Sequence, residues 1–245
     1  MISKGFKYQL LAFGNYEDIL PNPENIKFFF EQFLEKQIIP NQYQEMSFNL
    51  NDKDLKQNTI NRLGLSSLDK KWNIKFNSLN IEIDYSEDIN QISEFNTDEF
   101  INKAVEFLTI INSKFPKKHT RLGFVVQSLV NKIDSKTTFD KLNVPIDFFK
   151  ADPPIEWTNK IVTRKLIELG MPEIFNISNN INWINANLVN NNTTTAFEGL
   201  HVTIDINTLQ ENNTNRFELD NVVSFLEKAN EMYKTIDEQN LLTFK

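Results

Sequence analysis

Residues Asn96–Pro116 read NTDEFINKAVEFLTIINSKFP, and residues Thr120–Val130 read TRLGFVVQSLV. The first stretch is written as a helix. Asn96 can accept from the free N–H groups of a first turn, and Glu99 stands where it closes a capping box. Phe100, Ala104, Phe107, Leu108, Ile111 and Phe115 then recur at three- and four-residue spacing, which makes one broad apolar stripe. Pro116 stops the helix, and Lys114 lies near its negative end. The second stretch is shorter and rich in β-branched residues, which predicts a strand. Leu122, Phe124 and Val126 share one face of it; Arg121, Gly123, Val125 and Gln127 share the other. A helix with an apolar face beside a half-buried strand predicts an α+β fold, a mixed or antiparallel sheet with long helices packed on one face.

Working outward, the N-terminal side supplies a strand over Phe6–Phe13 and a helix starting at Asn22-Pro23-Glu24, with Pro at its first position. Its stripe is Ile26, Phe29, Phe30, Phe33 and Leu34, and Pro40 is expected to end the segment. Tyr43–Leu50 alternates weakly, as a strand does; 51–68 is polar and carries no clear period. Trp72, Ile74 and Phe76, then Leu79, Ile81, Ile83 and Tyr85, alternate with polar residues around Asn77-Ser78, which predicts a hairpin.

On the C-terminal side, 131–140 is polar and reads as a boundary, with a short helix expected within Phe139–Phe149. Asp152-Pro153-Pro154 is a break. Two long strands follow, Ile155–Leu169 and Pro172–Leu188, turning at Gly170-Met171. Asn190–Thr195 reads as a loop. Leu200, Val202, Ile204 and Ile206 alternate with His201, Thr203 and Asp205, a clear strand. A last helix is expected over Arg216–Ile236, with Leu219, Val222, Val223, Leu226, Ala229, Tyr233 and Ile236 inward.

Leu79-Asn-Ile-Glu-Ile-Asp84 and Leu200-His-Val-Thr-Ile-Asp205 share a pattern, and each precedes a long amphipathic helix. That similarity suggests two related α+β halves, 1–135 and 136–245. The bland reading is that any strand ending in a polar loop looks like this.

Composition excludes several chemistries. The 245 residues contain no cysteine, so thiolate metal sites, disulfides and Cys nucleophiles are out. Only 6 glycines and 2 histidines occur. No phosphate-cradling glycine loop, nucleophile elbow or zinc-binding helix motif is present, and no cofactor is expected. A net charge of −7 disfavours a general nucleic-acid binder and allows a basic protein partner. No leader pattern and no membrane-length apolar run occur, so a cytoplasmic chain without membrane contact is expected.

The candidate binding residues are Lys117, Lys118, His119 and Arg121, joined by Arg164 and Lys165 if their strands are neighbours. Such a patch would take a nucleic acid or nucleotide. A scattered set of solvated charges is the plainer reading, and His119 is expected in a solvated loop. His201 and Asp205 share a strand face with Thr203 and could form a polar cluster. Glu82 and Asp84 share another, as carboxylates of a metal-dependent enzyme would, but no further acid completes that site and an exposed charged face is expected.

Trp72-Asn-Ile-Lys-Phe76 ahead of a long helix, Arg121-Leu-Gly-Phe124 in a strand, and Leu200–Asp205 before a final helix resemble a sporadically distributed family of bacterial proteins. Val125-Val126 departs from that family's pattern, where a more basic or aromatic pair is usual. The resemblance implies an α+β fold and an accessory role in mobile or defence gene clusters, and it supplies no catalytic residues. The resulting expectation is a non-enzymatic protein-interaction or regulatory subunit, of a defence or toxin–immunity system for example. The rivals are a nucleic-acid or nucleotide binder using the basic residues and a metal-dependent enzyme using Asp84, Asp205 or His201.

Overall fold

The computed structural model describes residues 2–49, 56–88, 95–143, 147, 154–190 and 193–245. In chain order the elements are β1 (Ile2–Phe13), α1 (Pro23–Phe33), β2 (Ile38–Asn49), β3 (Lys56–Ser67), β4 (Trp72–Phe76), β5 (Asn80–Ser86) and α2 (Thr97–Lys114). There follow β6 (Arg121–Asn131), α3 (Ser135–Leu142), β7 (Trp157–Glu168), β8 (Pro172–Asn190), β9 (Thr193–Thr208) and α4 (Leu219–Phe244). The nine strands form one sheet in the order β2-β3-β4-β5-β1-β6-β9-β8-β7. Every pairing in it is antiparallel. The fold is α+β and dominated by its strands.

Local chemistry explains the boundaries. The side chain of Asn96 accepts from Asp98 N and Glu99 N, while Glu99 accepts from Asn96 N, so the capping box of α2 is closed at both ends. Asn22 caps α1 in the same way, accepting from Asn25 N ahead of Pro23. Gly170 takes a φ of +78° in the β7–β8 turn, a left-handed conformation that glycine adopts without strain. Gly199 is required for a different reason: a Cβ there would run into the carbonyl oxygen of Val130 on β6.

The core follows the period of two along the central strands. Ile83, Leu10, Phe124, Ile206 and Ile177 lie side by side across β5, β1, β6, β9 and β8, and all are buried. Helix side chains meet this layer. Phe100 of α2 stacks on Trp72 at 5.5 Å and approaches Phe124 at 6.1 Å. From α1, Phe29 meets Phe76 at 5.2 Å; from α4, Phe225 meets Phe175 at 5.2 Å; from α3, Phe139 meets Trp157 at 5.8 Å. Such ring pairs contribute roughly 0.5–1.5 kcal/mol each beyond their buried area. α2 and α4 are tied to each other where Lys234 Nζ and Asn230 Nδ2 donate to Asp98 at 2.7 and 2.6 Å.

Several expectations are corrected. Pro40 does not end a segment but lies inside β2, where an edge strand tolerates a residue without an N–H. Lys56–Ser67, within the polar stretch, is a strand whose Leu63 and Leu65 are buried. The short helix begins at Ser135, not Phe139, because Asp134 caps it by accepting from Thr137 N; the expected later part, at 144–146 and 148–149, falls outside the described residues. Asn190 belongs to β8 and Thr193–Thr195 to β9, so the expected loop shrinks to 191–192, also outside them. The last helix starts at Leu219 and continues to Phe244. Phe30 and Leu34, placed in the inward stripe of α1, are 46% and 49% exposed; Asn25 is buried instead. No described helix is long and apolar enough to cross a membrane.

Candidate interaction face

One residue along from the core row, the same strands present polar groups. Asp84, Gln9, Val125, Asp205 and Ser178 lie side by side across β5, β1, β6, β9 and β8, on the pleat face opposite to Leu10 and Phe124. Apart from Asp84, these residues are half-buried. Arg121, Gln127, His201, Thr203, Asn176, Asn180 and Arg164 share that face by strand register.

The two arginines are connected across four strands. Arg121 Nη2 donates to Asn207 Oδ1 at 3.2 Å, and Asn176 Nδ2 donates to the same oxygen at 3.4 Å. Arg164 Nε then donates to Asn176 Oδ1 at 2.8 Å. Asp205 joins the row by accepting from Asn207 Nδ2 at 3.0 Å. The strands of Arg121 and Arg164 are therefore not neighbours; β9 and β8 lie between them, a separation of about 14 Å between backbones. The Arg121 guanidinium is 5.1 Å from the centroid of the Phe13 ring, and its Nε is buried without a hydrogen-bond partner. Arg164 also approaches Glu211 at 3.5 Å. Each guanidinium is oriented by an amide oxygen, Arg121 by Asn207 and Arg164 by Asn176, and such a planar cation presents several donors in a fixed fork.

The other candidate residues go elsewhere. Lys117 Nζ donates to both oxygens of Asp18 at 2.6 and 2.7 Å, and Lys118 pairs with Glu218 at 2.6 Å. Both line shallow clefts beside Pro116. Lys165 lies on the opposite pleat face from Arg164, by α4, in a cleft with Glu231 and Gln239. His119 is buried, not solvated: its Nδ1 shares a hydrogen bond of 3.0 Å with the Tyr16 hydroxyl, and its backbone bridges to Phe217. Burial first, and the charge of Lys117 second, hold its pKa down to about 4. His201 Nε2 shares a hydrogen bond of 3.2 Å with Gln127 Oε1, and burial lowers its pKa as well. Asp205 is four residues along the strand, about 13 Å away, so the two do not form a catalytic pair.

Asp84 is the second correction. It is only 7% exposed, and its Oδ1 has no hydrogen-bond partner. Burial pushes its carboxyl up to about 7, reinforced by the charge and hydrogen bond of Glu82 and opposed by Lys7 and Lys75. Glu82 itself accepts from Gln9 Nε2 at 2.6 Å. The acid borders a cleft of about 590 Å³ lined by Lys7, Ser66, Lys70, Lys71 and Asn73. Asp84 and Asp205 are three strand spacings apart, about 14 Å, too far to act on one metal ion. Among the described residues, no three His, Asp or Glu side chains are grouped to hold one.

Asn176 and Asn207, which hold the row together, were missing from the residues singled out in the sequence. The signal was there: Phe175 and Ile177 alternate with Asn176 and Ser178, and Asn207 continues the parity of His201, Thr203 and Asp205. No protein-family model, curated protein or solved structure matches the chain.

Proposed function

We propose that the chain is a non-enzymatic protein-interaction or regulatory subunit whose docking surface is the open pleat face of the sheet. On this reading all four helices lie on the other face, as the contacts of Phe29, Phe100, Phe139 and Phe225 with one layer support. The observation that carries the reading is the hydrogen-bonded row Arg121–Asn207–Asn176–Arg164, with Asp205 attached. A broad, half-buried face of fixed donors and acceptors suits a large polar partner surface better than a small substrate. The resemblance to the bacterial accessory family suggests a setting in mobile or defence gene clusters.

The same reading makes the chain two related halves. Ile83 and Asp84 pair with Leu10 and Gln9 of β1, and Ile204 and Asp205 pair with Val126 and Val125 of β6. Gln9 and Val125 are themselves opposite each other, so a two-fold axis through that pair exchanges the two Ile-Asp motifs. The orders β1-α1-β2-β3-β4-β5-α2 and β6-α3-β7-β8-β9-α4 fit such a relation. They favour a join between α2 and β6 over one at 135.

Native mass spectrometry of the protein purified from its own cells tests the function. The expected result is a stoichiometric protein companion that Arg121→Glu combined with Arg164→Glu removes without changing the circular dichroism. A chain recovered alone, or a companion indifferent to both charges, would overturn the reading.

A further inference from the structure

Outward from the central β1–β6 pair, one side of the sheet runs β5, β4, β3, β2 and the other runs β9, β8, β7. The place that β2 takes beside β3 has no counterpart beside β7 among the described residues. The two edges also differ in chemistry. β2 carries Pro40, which offers no N–H to an incoming strand. β7 has no proline over its 12 residues, and it exposes Ile161 (61%), Val162 (56%) and Leu166 (69%).

We propose that β7 pairs antiparallel with β7 of a second copy, so that two nine-stranded sheets become continuous across a two-fold axis at Arg164. The sequence of the strand is complementary to itself in one register. With Arg164 opposite its own copy, Val162 faces Leu166 and Lys160 faces Glu168 on the open pleat face, while Ile161 faces Ile167 on the helix side. Ile161, Val162, Leu166 and Ile167 each meet an apolar side chain, each Lys160 meets a Glu168, and Lys165 meets the hydroxyl-bearing Thr163. Slipping the register by two residues puts Val162 opposite Arg164 or opposite Glu168, and loses both matches. The like-charged contact at the axis is relieved because each Arg164 is already held by Asn176 and Glu211 of its own chain. Main-chain hydrogen bonds supply the association and the side chains set its register. The seam shares Arg164 and one pleat face with the docking surface, but the inference does not depend on that reading, and its Lys160 and Glu168 variants leave Arg121 and Arg164 in place.

Sedimentation velocity of the full chain over a wide concentration range, with charge-swapped variants, tests it. Lys160 and Glu168 are both exposed, so the swaps leave folding intact. The wild type forms a dimer and nothing larger. Lys160→Glu alone and Glu168→Lys alone each raise the dimer dissociation constant roughly tenfold or more, since two ion pairs become two repulsions. The double swap restores the wild-type value. A monomer at all concentrations would overturn the proposal. So would growth beyond the dimer, which is the mark of β7 pairing with β2, and so would a dimer that ignores all three variants.

Discussion

Ile83–Leu10–Phe124–Ile206–Ile177 and Asp84–Gln9–Val125–Asp205–Ser178 run across the same five strands, one residue apart. The first row is buried under aromatic side chains from the helices. The second keeps the Gln9 amide, the Asp205 carboxyl and the Ser178 hydroxyl half in solvent, and only Asp84 at its end is buried. The difference teaches that these strands are read twice. Alternate positions answer to separate demands, packing on one side and a half-exposed polar face on the other, and a slip of one residue would exchange them.

The core row should be the harder to damage without losing the fold. Phe124→Ala removes a fully buried ring that packs on Phe100 and Tyr233, and is expected to cost about 3–5 kcal/mol in urea unfolding. Val125→Ala, its neighbour on the open face, should cost less than about 1 kcal/mol. Comparable losses would mean that the second face is also packed.

A buried ion pair at one end of the sheet sharpens the contrast. Arg216 and Glu173 side chains are 7% and 6% exposed and meet at 2.5 and 3.1 Å, with Arg216 also donating to the carbonyls of Thr120 and Asn212. Arg216→Ala strands a buried carboxylate and should cost about 3 kcal/mol or slightly more, whereas replacing both by Met should recover most of that.

Two buried titratable groups give the stability curve opposite slopes. Asp84, raised to about 7 from 3.8, stays protonated in the folded chain where the unfolded chain ionises, so its contribution falls as pH rises from about 4 to 7. His119, lowered to about 4 from 6.5, stays neutral where the unfolded chain protonates, so its contribution falls as pH drops from 6.5 to 4. Between these limits the two contributions oppose each other, so stability in the wild type should change less with pH than in either single variant. Asp84→Asn should leave stability that declines toward acid, and His119→Gln stability that declines toward neutral pH. Unchanged profiles would mean that neither group is shut off from water.

The smallest effect belongs to the arginine row. Arg164→Ala should change stability by under about 1 kcal/mol, because its pair with Glu211 is exposed and such pairs contribute little to folding. On the proposed function, the effect of both arginines is read in partner binding.

Much of this division was legible in the sequence. The capping box at Asn96, the stripe of α2, the hairpin at Asn77-Ser78 and the clean alternation of Leu200–Ile206 all rest on local rules, and all are present. β3 was not legible, because its partner contacts are non-local. Arg62, 1% exposed, is held by Glu45 at 2.6 Å and by Ser78, residues whose convergence depends on the sheet order. Strand order likewise decides that Arg121 and Arg164 are separated yet connected. No spacing along the chain reveals that Asn207 and Asn176 lie between them. The burial of His119 and Asp84 is hidden from the sequence for the same reason: a lysine-rich flank or a polar strand face says nothing about which loop or neighbour covers it.

Hydroxyl-radical footprinting of the protein in complex with its native companion tests the claim that the two faces divide packing from recognition. Leu11, Phe13, Val125, Leu129 and His201 on the open face should lose reactivity when the partner binds. Phe30 and Leu242, exposed on the outer sides of α1 and α4, should keep theirs. Protection at Phe30 and Leu242 with the open face unchanged would place the partner on the helices and contradict the account.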